Sequence, residues 1–197
     1  MTDTYNLSFE IIAKLTIFLY FYDMNKRKDS GLDFEIDKLT NSIENILTGE
    51  VFDTEIVRLM DIDKKQIKKV DWQFDWHKEL KDKTKEVYKL TTVNNPKIIQ
   101  GLVSIEDKHD HIFMHLIESS KFNKGKGKIY LGVPGNLVAY VCKVSFEKGY
   151  DGFLAFDAKT ALIKHYQESL GATHFKGQRL FMETRSAMNL VKQYFKS

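Results

Sequence analysis

The sequence is poor in cysteine and proline, and it contains no long apolar run. Its 197 residues include one cysteine, Cys142, and two prolines. A single cysteine excludes an intrachain disulfide and fits a reducing compartment. The most apolar piece, Ile11–Tyr22, is too short to span a bilayer, contains Lys14 and lacks the basic flank and cleavage site of a signal peptide. We therefore expect a cytoplasmic protein that does not enter a membrane.

An excess of charge of either sign is also missing. The chain has 30 basic and 27 acidic residues, which gives a net charge of +3. This balance does not indicate the basic surface that nucleic-acid-binding proteins carry. Hydrophobic residues make up 43% of the chain, and its length suits one domain with a sizeable core. We interpret residues 1–50 as an N-terminal extension that packs on or leads into a domain of residues 51–197.

Strand-like segments follow one another in the first half of that domain. Glu55–Met60 is predicted to be its first strand. Glu86–Val93 and Ile98–Ile105 are the clearest pair, and the turn residues Asn94–Pro96 between them predict an antiparallel hairpin. Ile112–Glu118 adds a strand after a short connection. Strands joined in this way form an antiparallel meander.

The order of elements changes in the second half of the chain. An apolar helix, Leu137–Phe146, leads to an apolar strand, Phe153–Phe156. A helical crossover of this kind makes the new strand parallel to Ile112–Glu118. Thr173–Phe175 and Arg179–Glu183 are expected to form a last hairpin, followed by an amphipathic helix. The predicted fold is therefore α/β (α+β), with a mixed, mostly antiparallel central sheet, one parallel pair and flanking helices.

A turn rich in glycine precedes the crossover helix and has the chemistry of a phosphate site. Backbone amides in the first turn of a helix have no internal partner and lie at the positive end of the helix dipole. Glycine lets a ligand approach them closely, and nearby lysines would add positive charge. The candidate ligands of an anion are Lys124, Lys126, Gly132, Val133, Pro134, Gly135, Asn136 and Leu137.

Three aromatic residues alternate with polar ones at Trp72, Phe74 and Trp76. Aromatic side chains at this spacing in a connecting segment would either line a substrate cleft or anchor a long connection onto the core. Both interpretations remain open from the sequence.

The order of meander, glycine turn with helix, apolar strand and a second helix resembles the GNAT superfamily of N-acetyltransferases. The second helix carries the sequence IKHYQESLGA, Ile163–Ala172, which is similar to the tyrosine-then-glycine motif of that family. Tyr166 stands at the tyrosine and Gly171 at the glycine. The resemblance covers roughly residues 51–184. It implies a GNAT-like fold in which the helix after the fourth strand binds the pyrophosphate of acetyl-CoA.

The resemblance also implies roles for individual residues. Tyr166 would protonate the thiolate of departing coenzyme A, and Glu118 would act as the general base. A strand-end carboxylate paired with a lysine is the other interpretation of Glu118. The backbone near the strand end, at Leu116 and Ile117, would contact the thioester where the two parallel strands diverge. Lys159 occupies a position at which the family often has asparagine.

The cofactor signature departs from the family's pattern. That pattern is glutamine or arginine, two residues, glycine, one residue, then glycine or alanine. Here Ile129 stands at the first position and Pro134 at the last. An alternative register uses Gly125–Gly127, which lies farther from the helix.

The sequence gives less support to a metal site or to a cysteine nucleophile. His111 and His115 would share a face of a strand, near His109 and Asp110, but no further ligand follows at a spacing typical of metal sites. We therefore predict no metal. Cys142 lies within an apolar helix, which indicates a core residue rather than a nucleophile.

The leading hypothesis is an acetyl-CoA-dependent N-acetyltransferase that acts directly on a primary amine, with a small molecule or a peptide as acceptor. Aminoacyl-tRNA is the one nucleic acid left open, and so is a homodimer. Acceptor choice would lie in residues 61–85, with Trp72, Phe74 and Trp76 as the candidate contacts. The alternative is a non-catalytic acyl-CoA-sensing or partner-binding module on the same fold.

Overall fold

The computed structural model describes residues 31–37, 39 and 42–195. The predictions for Ile11–Tyr22 therefore lie outside the described residues. Among the described residues, no helix is both long and apolar enough to cross a membrane. The strands are β1 Ile43–Asn45, β2 Val51–Phe52, β3 Thr54–Leu59, β4 Lys85–Thr92, β5 Gly101–Asp107, β6 Ile112–Ser119, β7 Tyr130–Leu131, β8 Leu154–Asp157, β9 Thr173–Lys176 and β10 Arg179–Met182. The α-helices are α1 Trp76–Lys81, α2 Val133–Glu147, α3 Ile163–Leu170 and α4 Thr184–Tyr194.

The main sheet of the described chain has seven strands in the order β3-β4-β5-β6-β8-β10-β9. Neighbouring strands are antiparallel except β6 and β8, which are parallel and are joined through α2. The predicted meander, parallel pair and terminal hairpin are therefore confirmed. The remaining strands form a small second sheet in the order β2-β1-β7, which the sequence did not predict.

Some element boundaries differ from the predicted ones. β5 begins at Gly101 rather than at Ile98, because the preceding residues form an irregular connection. A side chain at Gly101 would collide with Val133 and Leu137, since its Cβ would lie 2.8 Å and 3.0 Å from their methyl carbons. The charged segment that follows β3 is a 3₁₀ helix, Asp61–Gln66.

Apolar side chains are buried on both faces of the sheet. On one face α2 and α4 pack together over β5, β6 and β8, where Cys142 is fully buried. Burial raises the pKa of the Cys142 thiol to about 12, which makes it inert at neutral pH. The opposite face carries a smaller cluster that includes Trp72, Trp76 and Leu102. The sheet is thus held between two apolar layers.

β6 changes its pairing halfway along its length. Against β5, Ser104 faces Leu116 while the next residue, Ile105, faces Met114. His115 is therefore an extra residue that forms a β-bulge. On the other side of β6, pairing with β8 runs from Ile112 to Met114, which faces Phe156, and stops there. The parallel strands consequently diverge at the bulge, as the resemblance implies.

Asp107 ties the end of β5 to the turn that follows α2. Its carboxylate accepts hydrogen bonds from the His109 amide at 2.8 Å and the Tyr150 hydroxyl at 2.9 Å, and it pairs with Lys148 Nζ at 3.0 Å. Partial burial alone would raise the pKa of Asp107, but these donors outweigh it and lower the pKa from 3.8 to about 2. The charged form of Asp107 therefore stabilises this corner of the fold.

We expect Asp107→Asn to lower the free energy of unfolding at neutral pH by roughly 1 kcal/mol, because it weakens these charge-assisted contacts at a partly exposed site. Since the pKa is lower in the folded state, the stabilisation is present above pH 3.8 and is lost as the pH falls toward about 2. Urea unfolding across this range measures it, with the exposed Asp71→Asn as control. A difference that is unchanged at low pH would contradict the assignment.

Candidate active site

The space where β6 and β8 diverge is a groove, and one piece of the N-terminal extension, Gly31–Asp37, lies in it. Leu32 forms a parallel bridge with Ala158, just beyond β8. Its amide donates to Asp157 O at 2.6 Å, and its carbonyl accepts from Lys159 N at 3.1 Å. A Cβ on Gly31 would lie 2.5 Å from Lys159 N, so glycine is required for this close approach. The segment Leu32–Asp37, called here the groove segment, continues from this point along the groove.

Tyr166 lies on the floor of the groove and binds the backbone of the groove segment. Its side chain is fully buried, with the ring centroids of Phe34 and Phe156 at 5.1 Å and 5.5 Å. The Tyr166 hydroxyl donates to Phe34 O at 2.6 Å and accepts from Phe34 N at 3.2 Å. Burial raises the pKa of Tyr166, so the phenol keeps its proton at neutral pH. The phenol can act as an acid, but the groove segment holds its hydrogen bonds.

His165, the neighbour of Tyr166 on α3, also binds the groove segment. Its Nε2 accepts a hydrogen bond from the Ile36 amide at 2.7 Å. α3 ends at Gly171, which has a positive φ of 65°, and this left-handed residue closes the helix as the tyrosine-then-glycine motif predicts.

The predicted phosphate turn also binds the groove segment, through a carboxylate. Gly132 precedes α2 with a positive φ of 84°, and its amide donates to Asp37 Oδ1 at 3.1 Å. Lys128 Nζ lies 3.1 Å from Asp37 Oδ2. An anion therefore sits at the helix N-terminus, where the sequence predicts one, but in the described structure the anion belongs to the chain itself.

The other residues of the predicted turn have different surroundings. Pro134 lines the cavity described next, whereas Val133 and Leu137 are buried against Gly101. The Asn136 amide donates to Thr54 Oγ1 at 2.8 Å. A Cβ on Gly135 would overlap the Tyr194 hydroxyl, so this glycine admits α4 rather than a ligand. The side chains of Val133, Asn136 and Leu137 and the α-carbon of Gly135 therefore pack within the protein, and binding of a pyrophosphate by the backbone amides of this turn stays a prediction.

A cavity of about 300 Å³, called here the anion-side cavity, adjoins the groove segment and the start of α2. Carboxylates and lysines face each other across it. Lys124 and Lys128 belong to its lining, whereas Lys126 is exposed outside it. The carboxylates of the lining are those of Asp33, Glu35, Asp37 and Glu118.

Glu118 lies at the predicted end of β6, but both of its oxygens are fully engaged. Oε1 accepts from Gln73 N and from Lys124 Nζ, each at 2.7 Å. Oε2 accepts from Trp76 Nε1 at 2.7 Å and from Phe74 N at 3.3 Å. A carboxylate offers about four acceptor positions, and these four donors fill them. With 2% of its surface exposed and a lysine partner, Glu118 has the surroundings of the lysine-paired interpretation, which makes it a poor candidate for the general base.

The three alternating aromatic residues have two different environments in the structure. Trp72 and Trp76 are buried in the smaller apolar cluster, with their ring centroids 6.2 Å apart. Neither indole presents a face to a substrate, so the substrate-contact prediction for them is replaced by the anchoring interpretation. Phe74 is only partly buried and lines both cavities of the site.

A second cavity of about 450 Å³, called here the acceptor-side cavity, lies beside Gly31, the residue before the groove segment. Its lining includes Gly31 and Lys159 at one edge and His115 and Leu116 of β6 at the other. Lys159, which the resemblance aligned with a cofactor-binding asparagine, pairs with Asp33 at 2.6 Å. The two cavities share Gln73 and Phe74.

Two carboxylates that the sequence analysis did not single out bind residues that line the acceptor-side cavity. Glu79 of α1 accepts from Ser104 Oγ at 2.6 Å and pairs with Lys85 at 3.0 Å. Glu106 Oε2 lies 2.7 Å from His115 Nε2. The partners of His115 come from a neighbouring strand and could not be read from spacing along the chain. Among the described residues, no group of three or more histidine, cysteine or acidic side chains is arranged to hold a metal ion.

No protein-family model matches the chain, and no curated protein matches its sequence. Similar solved structures include mutant forms of the spermidine/spermine N-acetyltransferase from Vibrio cholerae, with 14% identity over 69% of this chain and 96% of that chain and a TM-score of 0.45. AtaTR bound with acetyl-CoA matches with 18% identity over 70% of this chain and 98% of that chain, at a TM-score of 0.44. The ribosomal-protein-S18-alanine N-acetyltransferase from Escherichia coli matches with 20% identity over 62% of this chain and 79% of that chain, at a TM-score of 0.41. The chain has the mixed, mostly antiparallel sheet that its sequence predicts, with β6 and β8 as the parallel pair of the described strands.

Proposed function

We propose that the chain is an acetyl-CoA-dependent N-acetyltransferase that transfers the acetyl group directly to a primary amine. The observation that carries this proposal is the groove between β6 and β8, which has donors for an anion at one end and a protonated phenol on its floor. Acetyl-CoA would supply the acetyl group as a thioester. The other steps depend on residues of this chain.

The groove fits an acetyl-CoA molecule because it already binds groups of the same chemistry. Tyr166 and His165 bind backbone amide groups, and the pantetheine arm also carries amides. Gly132 N and Lys128 bind a carboxylate, and they would bind a pyrophosphate oxygen in the same way. Lys124 would add a second positive charge at this end. The missing N–H of Pro134 leaves the turn with one donor fewer than the family's glycine would give.

Beyond the bulge, β6 is suited to polarise a carbonyl. Its pairing with β8 ends at Met114, so a main-chain amide at Leu116 or Ile117 that points toward β8 can serve as a donor to the thioester oxygen. Tyr166 would give its proton to the sulfur as the carbon–sulfur bond breaks. Its raised pKa suits this role, because a phenol that stays protonated is available as an acid.

His115 replaces Glu118 as the group that we propose to accept the proton of the acceptor amine. It is the bulge residue and it lines the acceptor-side cavity, and 26% of its side-chain surface is exposed. With Nε2–H donating to Glu106, the other ring nitrogen, Nδ1, is the acceptor. The amine would lose its proton to Nδ1 as the new carbon–nitrogen bond forms. Glu106 is then a positioning residue that fixes the tautomer.

A second candidate function is a non-catalytic acyl-CoA-sensing or partner-binding module on the same fold. The specific observation in its favour is that the chain's own segment fills the groove. The proline at the last position of the glycine motif supports it further. In this case the groove would bind without turnover, and Tyr166 and His115 would have no chemical role.

Calorimetric titration with acetyl-CoA is the first test. We expect binding by the wild-type chain, and we expect Tyr166→Phe to slow acetylation at saturating acetyl-CoA, because the lost hydroxyl is needed when the thiolate departs. Acetylation is measured by mass spectrometry of an amine library. Binding without acetylation of any amine would favour the non-catalytic module, and an unchanged rate in Tyr166→Phe would remove Tyr166 from the catalytic residues.

His115 and Glu118 can be separated by two matched substitutions. We expect His115→Gln to keep the thermal stability of the chain and to lower the acetylation rate at saturating acetyl-CoA, because a glutamine amide cannot accept the proton of the acceptor amine. Glu118→Gln should instead cost about 2–3 kcal/mol of unfolding free energy, since an amide cannot accept from all four donors. Glu168→Gln, at an exposed ion pair, is the control. A stable Glu118→Gln protein that is inactive would restore Glu118 as the base.

A further inference from the structure

We propose that the groove is also a peptide-binding site, and that Leu32–Asp37 is its tethered ligand, which must leave before coenzyme A can bind. This inference rests on the proposed function, because it names the competitor for the site of acetyl-CoA. The ligand class is an extended peptide that alternates apolar and acidic residues and ends in a carboxylate at the N-terminus of α2.

The groove segment has the residue pattern of a strand with one face in the groove. Its sequence, LDFEID, alternates strictly between apolar and acidic side chains. The apolar residues Leu32 and Ile36 are buried, and Phe34 packs on Tyr166. Asp33 and Glu35 are exposed on the opposite side and line the anion-side cavity. The pattern fits this groove as closely as an internal strand fits its sheet.

The main chain of the segment is bound at every second residue. Leu32 pairs with Asp157 and Lys159, Phe34 with the Tyr166 hydroxyl, and Ile36 with His165. Main-chain bonds at alternate residues, with side chains seated between them, are how proteins bind peptides by strand addition. Two of these binding groups, Tyr166 and His165, are side chains of α3 rather than the edge of a strand. They are therefore equally able to bind another molecule that carries amides.

The carboxylate of Asp37 binds donors that the cofactor would also need. It occupies the Gly132 amide and Lys128, the donors that our proposed function gives to a pyrophosphate oxygen. Two anions cannot share these donors, since like charges at such a distance repel strongly. The groove segment and coenzyme A thus compete along the whole groove, from the phenol of Tyr166 to the start of α2.

Competition of this kind makes a quantitative prediction. When only a fraction of molecules has an open groove, the apparent dissociation constant is the intrinsic one divided by that fraction. Weakening the segment must then strengthen the binding of coenzyme A, although no residue that binds coenzyme A has changed. A charge-assisted contact that is removed from the segment should raise the affinity about tenfold.

Two substitutions in the full-length chain weaken the segment without altering the groove. Asp37→Asn keeps the shape of the side chain and removes its charge. Gly31→Ala acts at the other end, because a Cβ there would lie 2.5 Å from Lys159 N and would push the segment away from β8. Glu50→Gln, an exposed acid-to-amide change before β2, is the control. Thermal unfolding of all four proteins would show that the variants are folded.

The experiment is a calorimetric titration of each protein with coenzyme A, which requires no turnover. Both Asp37→Asn and Gly31→Ala should bind about tenfold more tightly than wild type and Glu50→Gln. Hydrogen exchange at the amides of Phe34 and Ile36 should be slow in the free protein and should speed up when coenzyme A is added, because these amides lose their partners.

The outcomes separate the two proposals. Equal affinity in all four proteins, or weaker binding by Asp37→Asn, would overturn the competition and leave the proposed function intact. If none of the proteins binds coenzyme A, both proposals fail together. Tighter binding by both variants, with faster exchange at Phe34 and Ile36, supports the tethered ligand.

Discussion

The site depends on one structural constraint, the point at which β6 and β8 stop pairing. The pair ends at Met114 and Phe156, and the bulge at His115 turns the rest of β6 away from its neighbour. Main-chain groups inside a fold need hydrogen-bond partners, and each one left buried without a partner costs roughly 1–3 kcal/mol. A sheet that opens in its middle therefore exposes main-chain groups that can bind amides. In the described structure Leu32 takes up such groups at Asp157 and Lys159 on the β8 side.

The buried carboxylate of Glu118 holds together one side of this opening. The four donors to Glu118 bring the connection Gln73–Trp76 against the end of β6 and hold Lys124 beside it. The same connection places Phe74 between the two cavities. A buried charge is tolerated only when it is fully bonded, so this carboxylate is committed to structure. For this reason our proposal gives the proton chemistry to His115, which lines the acceptor-side cavity and is partly exposed.

The sequence predicts the strands and helices around the site better than the side-chain contacts within it. Period-two alternation and turn residues identify the meander, and the crossover helix determines the parallel pair, because these are local patterns with strong geometric consequences. Glu118 and Tyr166 also lie where expected. Three of the four donors to Glu118 come from residues 42 to 45 positions away, and the backbone partner of the Tyr166 hydroxyl is more than 130 positions away, so no local pattern encodes these contacts. The alternation of apolar and acidic residues in Leu32–Asp37 can be read from the sequence, but its position depends on a groove that exists only after folding.

Binding groups shared between the segment and the cofactor would link the two candidate functions. By thermodynamic linkage, any molecule that holds Leu32–Asp37 outside the groove raises the affinity for coenzyme A, and coenzyme A frees the segment for that molecule by the same factor. A partner of the N-terminal region would then act as an activator without touching Tyr166 or His115. Under the proposed competition, an open groove that binds coenzyme A and a closed groove that holds Leu32–Asp37 would be two states of one protein, and the stability of the docked segment would set their populations.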